Sequence, residues 1–464
     1  MAHEPYLTAP LESEKMPGGI PYIVGNEAAE RFSFYGMKAI LFVFMTKHLV
    51  DHSGADAFMT EAQARTYIHS FVAASYFFPL IGGFVSDAFF GKYRTILALS
   101  IVYCLGHLAL ALDETRVGLF WGLGLIAIGA GGIKPCVSAH VGDQFGVKNQ
   151  GLLPRVFSWF YFSINLGAFF SSLLTPIFLR EFGPHVAFGV PGALMLLATW
   201  VFWLGRHKFV HIPPRGVGYF KAALTSEAGK SLARLCIIFL FIAMFWSLFD
   251  QTASAWVGQA GKMNRHIDLS WVPLPGLPAS IEPTESQIQA ANPALILIMI
   301  PLFSYVVYPF ISRFYPLTAL RKISIGFFLT AAAFSVSALI EQKFTAGLSP
   351  HISWQFLAYV ILTAAEIMVS ITGLEFAYTQ APTEVKSIVM SLYLFSVAVG
   401  NWFTAGVNYF IQNEDGSSNL SGADYYWFFT AAMLITAVLF LFVAGTYRVR
   451  TYIQGRDRID VAES

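Results

Sequence analysis

The chain has 464 residues, of which 56% are hydrophobic, 16% aromatic and only 12% charged, where a soluble domain carries about 25% charged residues. That composition excludes an ordinary soluble enzyme and is that of a polytopic membrane protein, since each helix crossing a bilayer uses about 20 apolar residues. A net charge of +1 excludes an electrostatic nucleic-acid binder. Cys104, Cys136 and Cys236 lie in or beside apolar runs without paired spacing, which excludes a disulfide framework or thiolate metal site.

The opening MAHEPYLTAPLESEK has neither a basic start nor an apolar core, so no cleaved signal peptide is expected. Apolar runs broken by charged or Pro/Gly-rich stretches predict six helices over 20–47, 65–87, 94–112, 117–141, 155–179 and 187–206. Residues 207–231, HKFVHIPPRGVGYFKAALTSEAGKS, are too polar to span and read as a bridge. Six further helices are predicted over 232–257, 286–311, 319–341, 353–378, 384–411 and 426–447, giving halves at 20–206 and 232–447 between tails 1–19 and 448–464. Most of the 29 Lys and Arg fall in loops on the side of the two termini, among them Lys92, Arg94, Lys148, Arg155, Arg206, Lys208, Arg321 and Arg448. By the positive-inside rule that side is cytoplasmic. A six-plus-six layout with a cytoplasmic bridge is the plan of the major facilitator fold, and GGFVSDAFFGKYRT, between helices 2 and 3, has the makeup of its gating loop.

Ionisable groups inside membrane helices are costly and mark function. Helix 1 carries Glu27, Glu30, Arg31, Tyr35 and Lys38 at intervals of three or four, on one face. Carboxylates beside a cation suit proton transfer, because moving the cation changes proton affinity. In helix 2, His69 and Tyr76 share a face; His69 is either a hydrogen-bonded packing group or a proton switch. Lys134 follows a glycine cluster in helix 4, and Tyr161 and Asn165 share a face of helix 5. Helix 7 presents Trp246, Asp250 and Ser254 on one stripe; Asp250 lacks a local cation and is expected to pair with Lys134. Helix 8 opens with Asn292, and Trp402 on helix 11 could close a cavity together with Trp246. Helix 10 holds Glu366 and Glu375 on opposite faces; periodicity does not choose between them, and aromatic surroundings favour Glu375.

In combination, Glu27-x-x-Glu30-Arg31-Phe32-Ser33 with Tyr35-Gly36, GGIKPCVSAHVGDQF, FYFSINLGAF, FWSLFDQ and GLEFAYTQAP resemble the proton-coupled oligopeptide transporters of the major facilitator superfamily over nearly the whole chain. HSFVAASY, GGIKPCV and FDQ are closer to animal members. The resemblance implies an all-helical carrier and a proton-coupling set of Glu27, Glu30, Arg31, His69, Lys134 and Asp250. It implies peptide binding by Arg31 and Lys134 at the carboxylate and Glu375 at the amino group. Asn165 and Asn292 would hold the backbone, with Tyr35, Lys38, Tyr76, Tyr161, Trp246 and Trp402 around the pocket. Phe34 stands where the family has the first tyrosine of Tyr-Tyr-Gly, and Lys38 where it commonly has arginine. No extra helix pair, large extracellular domain, cofactor, metal or obligate protein partner is expected. The implied function is symport of protons with di- and tripeptides across a plasma or inner membrane, with lipid as the solvent. The alternative is another small substrate, such as nitrate or an amino acid, on the same fold. A membrane enzyme finds no HExxH or activated-nucleophile motif to support it.

Overall fold

Twelve long helices, with a two-stranded ribbon as a minor addition, make up the computed structural model, which describes residues 6–214, 216, 226–270, 278–380, 386–413 and 417–447. The side chains of residues 150, 153, 154, 157, 158, 161, 226–228, 230, 231, 386 and 387 lie outside that description. The first half comprises α1 (Ile20–Lys47), α2 (Glu61–Val85, extended by a π turn Ser86–Phe90), α3 (Lys92–Leu112), α4 (Arg116–Asp143), α5 (Leu153–Phe182) and α6 (Pro184–Leu204). The second comprises α7 (Ser226–Phe249, a 3-10 turn Asp250–Ala253 and a last segment Ala255–Lys262) and α8 (Ala291–Leu302, a π turn Phe303–Val307 and Tyr308–Ser312). It continues with α9 (Ala319–Thr345), α10 (Ser353–Glu366, a π turn Ile367–Ile371 and Thr372–Gln380), α11 (Lys386–Phe410) and α12 (Ala423–Thr446).

Local signals set several of these ends. Thr60 caps α2 through a reciprocal pair with Gln63, each side chain accepting from the other's backbone N–H at 3.2 Å, which satisfies two N–H groups that a helix start leaves orphaned. Thr115 and Thr318 cap α4 and α9 in the same role. Among the described residues, eleven helices are long and apolar enough to cross a membrane. α1 falls outside that set because Glu27, Glu30, Arg31 and Lys38 interrupt its apolar run. A helix this charged crosses lipid only when its charged face is enclosed by protein, and Glu27 and Glu30 are indeed buried.

The apolar interior falls into two large clusters, one gathering residues from Ile20 to Phe209 together with Val257 and Val397 of the second half, the other running from Leu235 to Phe440. α1 packs on α5 and α6, and α3 on α4; in the second half α9 packs on α10 and α12, and α7 on α11. The seam between halves is made by α2 against α11 and α5 against α8. Polar links across this seam gather on the face away from the termini. Lys47 pairs with Glu285, Lys262 Nζ lies 3.3 Å from Glu61, Gln289 Nε2 donates to Ala39 O at 3.0 Å, and Gln287 Nε2 donates to Leu173 O at 3.0 Å. The molecule is therefore drawn shut on that face.

The bridge departs from its expected bounds. α7 begins at Ser226, within the predicted bridge, because SEAGKSLAR is rich in good helix formers although too polar to span. At its other end the bridge folds back on the first half: His211 N donates to Leu7 O at 2.7 Å and Val210 N to Gln144 Oε1 at 3.0 Å. The ribbon, Ile267–Asp268 against Ser280–Ile281, sits between α7 and α8. α9 and α10 are joined by residues 346–352 alone, so no domain is inserted there.

Candidate functional site

A cavity of about 250 Å³ lies between the halves, walled by Tyr35 and Lys38 (α1), Tyr76 (α2), Asn165 and Ser172 (α5), Trp246 and Asp250 (α7), Gln289 in the 3-10 turn Gln287–Ala290 that leads into α8, Asn292 (α8), and Glu366 and Ser370 (α10). Six helices contribute, three from each half, so its shape changes whenever one half moves against the other.

The α1 cluster stands one helical turn toward the terminus face. Arg31 Nε lies 2.6 Å from Glu27 Oε1 and 3.3 Å from Glu30 Oε2, and both carboxylates are buried. Gly167 lets α5 close over this cluster: a Cβ there would meet Ala28 O at 2.8 Å and Arg31 Cβ at 3.3 Å. One guanidinium thus serves two buried carboxylates. Neither Glu30 oxygen is hydrogen-bonded among the described residues.

Lys134 does not pair with Asp250. Its ammonium sits 3.7 Å from the centre of the Phe34 ring and 4.4 Å from that of Tyr76, and Nζ has no hydrogen-bond partner among the described residues. The residue on Asp250 is Lys38, whose Nζ lies 2.5 Å from Oδ1. The physical reason is placement along the membrane normal. α4 enters from the face away from the termini, so Lys134 comes late in it, toward the terminus side; Lys38 and Asp250 both lie beyond the midpoints of helices that start from the terminus side. The 3-10 turn at Asp250–Ala253 breaks α7 where its carboxylate meets α1.

His69 belongs to this second cluster. Asn401 Nδ2 donates to Asp250 Oδ2 at 2.8 Å, which leaves Asn401 Oδ1 facing His69 Nδ1 at 2.7 Å, while His69 Nε2 lies 2.9 Å from Ser254 Oγ. With Asn401 oriented in this way, Nδ1 carries a proton, and Nε2 is the nitrogen that accepts from or donates to Ser254 according to charge. Lys38, Asp250, Asn401 and His69 form a continuous buried chain through α1, α7, α11 and α2. Asn401 was not among the candidates from sequence; an amide inside an apolar helix, in GNWFTAG, is the signal that could have found it.

The choice between the α10 carboxylates is corrected. Glu366 lines the cavity and accepts from Asn292 Nδ2 at 2.7 Å, whereas Glu375 lies exposed toward the terminus face and outside the cavity wall. Nine residues at 100° per residue separate the two by half a turn, and the face carrying Glu366 is the one packed toward α8. Aromatic neighbours misled because those around Glu375 include the exposed Tyr378.

Trp246, Asn165, Asn292, Tyr35 and Tyr76 lie on the cavity wall. Trp402 does not: it packs on Phe77 and Phe395, with ring centroids 5.8 Å and 5.7 Å away, in the seam between α2 and α11. The Tyr161 side chain lies outside the described residues. No group of three or more His, Cys, Asp or Glu capable of holding a metal occurs among the described residues.

Two six-helix halves enclosing a charged cavity at their seam define a membrane carrier of the major facilitator type. Within that class the chain belongs to the POT family, whose pattern it matches over residues 93–222 and 217–428. Peptide transporter family 1 of Drosophila melanogaster is 35% identical over a stretch covering 70% of this chain and 48% of that protein. Solute carrier family 15 member 2 of Homo sapiens is 34% identical, covering 77% of this chain and 54% of that protein. The chain thus spans about half the length of the curated relatives it matches. Among solved structures, an auto-inhibited POT family peptide transporter superposes with a TM-score of 0.82 at 35% identity, covering 95% of this chain and 99% of the other. A POT family transporter crystallised in meso gives 0.81 at 36% identity, covering 93% and 99%.

Proposed function

We propose that this protein imports di- and tripeptides together with protons by alternating access. The observation that carries the reading is the division of charge across the seam: a buried ammonium without a carboxylate, Lys134, on the first half, and the carboxylate of Glu366 on the second. A free peptide is a zwitterion whose burial is unfavourable unless both ends meet opposite charge. Lys134, with Arg31 beside it, receives the peptide carboxylate; Glu366 and Asn292 receive the amino group. Because the two poles belong to different halves, bound peptide favours their approach, the differential interaction that a conformational change requires. Tyr35, Tyr76 and Trp246 leave room for varied side chains, and a cavity of about 250 Å³ limits length to two or three residues.

Protons enter through two clusters. Glu27 and Glu30 share Arg31, and a carboxylate that takes a proton frees the guanidinium for the peptide. His69 reads the closure of the far face through Asn401 and Asp250. The moving units are residues 20–206 and 232–447. The excess of Lys and Arg beside the termini puts both ends in the cytoplasm, in a plasma or inner membrane. A carrier of a simple anion would have no use for Glu366 opposite the cations.

The test is uptake of a labelled dipeptide into proteoliposomes under an imposed pH gradient and membrane potential. Accumulation above equilibrium that a protonophore abolishes is expected, and Glu27→Gln or Glu30→Gln should lose it while retaining counterflow. Equilibration without accumulation in the wild type, or nitrate competing where dipeptides do not, refutes the reading.

A further inference from the structure

Away from the central cavity, a second hollow of about 310 Å³ opens between α2, α3 and α4 toward the terminus face. Its walls are Ile81, Val85, Phe90, Ala98, Leu99 and Ile128, and among the described residues none of the second half lines it. The floor is bare backbone. A Cβ on Gly82 would lie 2.4 Å from Gly132 Cα, and one on Gly132 would lie 1.9 Å from Leu99 Cδ1. α2 and α4 therefore touch main chain to main chain, and the missing side chains leave the groove. Ile81, Phe90 and Ile128 are exposed beside it, so it faces the hydrocarbon around the protein rather than the transport path. The volume falls at the lower end of the roughly 300–1,000 Å³ of cavities that hold an organic ligand.

One polar group faces the mouth with capacity to spare. The Thr95 hydroxyl is spent on Gly91 O at 3.0 Å, and the neighbouring Lys92 is neutralised by Asp143 at 2.6 Å. Arg94 is exposed, lines the groove and forms no ion pair among the described residues. A planar guanidinium binds phosphate oxygens in a bidentate fork, and it stands in the first turn of α3, beside the basic loop, where headgroups lie.

We infer that this groove is a binding site for an anionic glycerophospholipid, with one acyl chain between α2, α3 and α4 and its phosphate on Arg94. The apolar walls exclude a soluble metabolite, and Arg94, a cation without an ion pair among the described residues, favours a net-negative headgroup over a zwitterionic one, which brings its own cation. Since α2 is also the seam helix against α11, a lipid seated here braces a moving wall of the carrier.

The experiment is native mass spectrometry of the full-length protein in mild detergent, titrated with phosphatidylglycerol or phosphatidylcholine of the same chain length. One preferentially retained phosphatidylglycerol is expected. Arg94→Gln should weaken its retention at least fivefold without changing that of phosphatidylcholine, and Ala98→Trp, which fills the groove from an exposed position, should weaken it as much. Arg321→Gln, at a partly exposed cation on the same face of the second half, should not. Each variant is first shown to elute as a single species with a wild-type melting midpoint. Unchanged retention in Arg94→Gln, unchanged retention in Ala98→Trp, an equal loss in Arg321→Gln, or equal affinity for the two lipids would each overturn the assignment.

Discussion

The pairing of Asp250 with Lys38 rather than Lys134 makes a quantitative prediction. The Lys38 and Asp250 side chains are 11% and 6% exposed with their charges 2.5 Å apart, so the pair is buried, and removing one partner strands the other. Breaking a buried pair in this way costs about 3–5 kcal/mol. Asn401 still donates to Asp250, which places Lys38→Met at the lower end, while Asp250→Ala leaves an ammonium with no other acceptor among the described residues and belongs at the upper. The double variant removes both stranded charges, so the two single effects should fail to add by about 2–3 kcal/mol. Lys134, held by two rings on another level of the bundle, should add to Asp250→Ala within about 0.5 kcal/mol. Both double-mutant cycles are read from denaturant midpoints of the purified protein in one detergent. Additivity of Lys38 with Asp250, or a larger coupling for Lys134, would refute the assignment of the ion pair.

Three other outcomes follow from the same geometry. Acetylating the amino end of a dipeptide should lower affinity about tenfold or more in wild type and in Glu375→Gln, because a desolvated carboxylate loses its partner at roughly 1–3 kcal/mol. In Glu366→Gln the acetyl group should matter little, and an equal penalty there would remove Glu366 from amine recognition. Phe34→Leu withdraws the ring 3.7 Å from the Lys134 ammonium and should cost about 1–2 kcal/mol in stability, but less than half of that in a Lys134→Met background; the same cost in both would mean the ring only fills space. On the far face, Glu285 is largely buried, which raises its pKa, but the hydrogen bond and charge of Lys47, with Arg265, outweigh burial and hold the carboxylate below its ordinary value of 4.5. A depressed pKa stabilises the closed face above the ordinary value and loses that contribution only as pH falls through the lowered one. Labelling of a cysteine at Thr46 should therefore rise several-fold in Glu285→Gln at pH 7 and stay low in the otherwise unchanged protein at pH 5.5. Labelling at pH 5.5 that matches Glu285→Gln would contradict it.

Much of the molecule was legible along the chain. Apolar run length gave twelve helices whose ends mostly fall within a few residues of those observed, because a span needs a fixed length of greasy sequence. The charged face of α1 was plain, since Glu27, Glu30 and Arg31 are neighbours on one helix and their contacts are local. Which helices meet was another matter. Periodicity tells which residues share a face but not which way the face points, nor at what depth its partner lies. Lys134 and Lys38 are both unpaired lysines on paper, and only the antiparallel run of α4 against α1, with the break in α7 at Asp250, decides that Lys38 reaches the carboxylate. Glu366 and Glu375 lie on opposite faces of one helix, and only the packing of α10 on α8 turns Glu366 to Asn292. Asn401 escaped notice because its role depends on two side chains from two other helices, Asp250 and His69. Local chemistry is written in neighbouring residues, whereas contacts between helices depend on rotation and depth, which the whole bundle sets together.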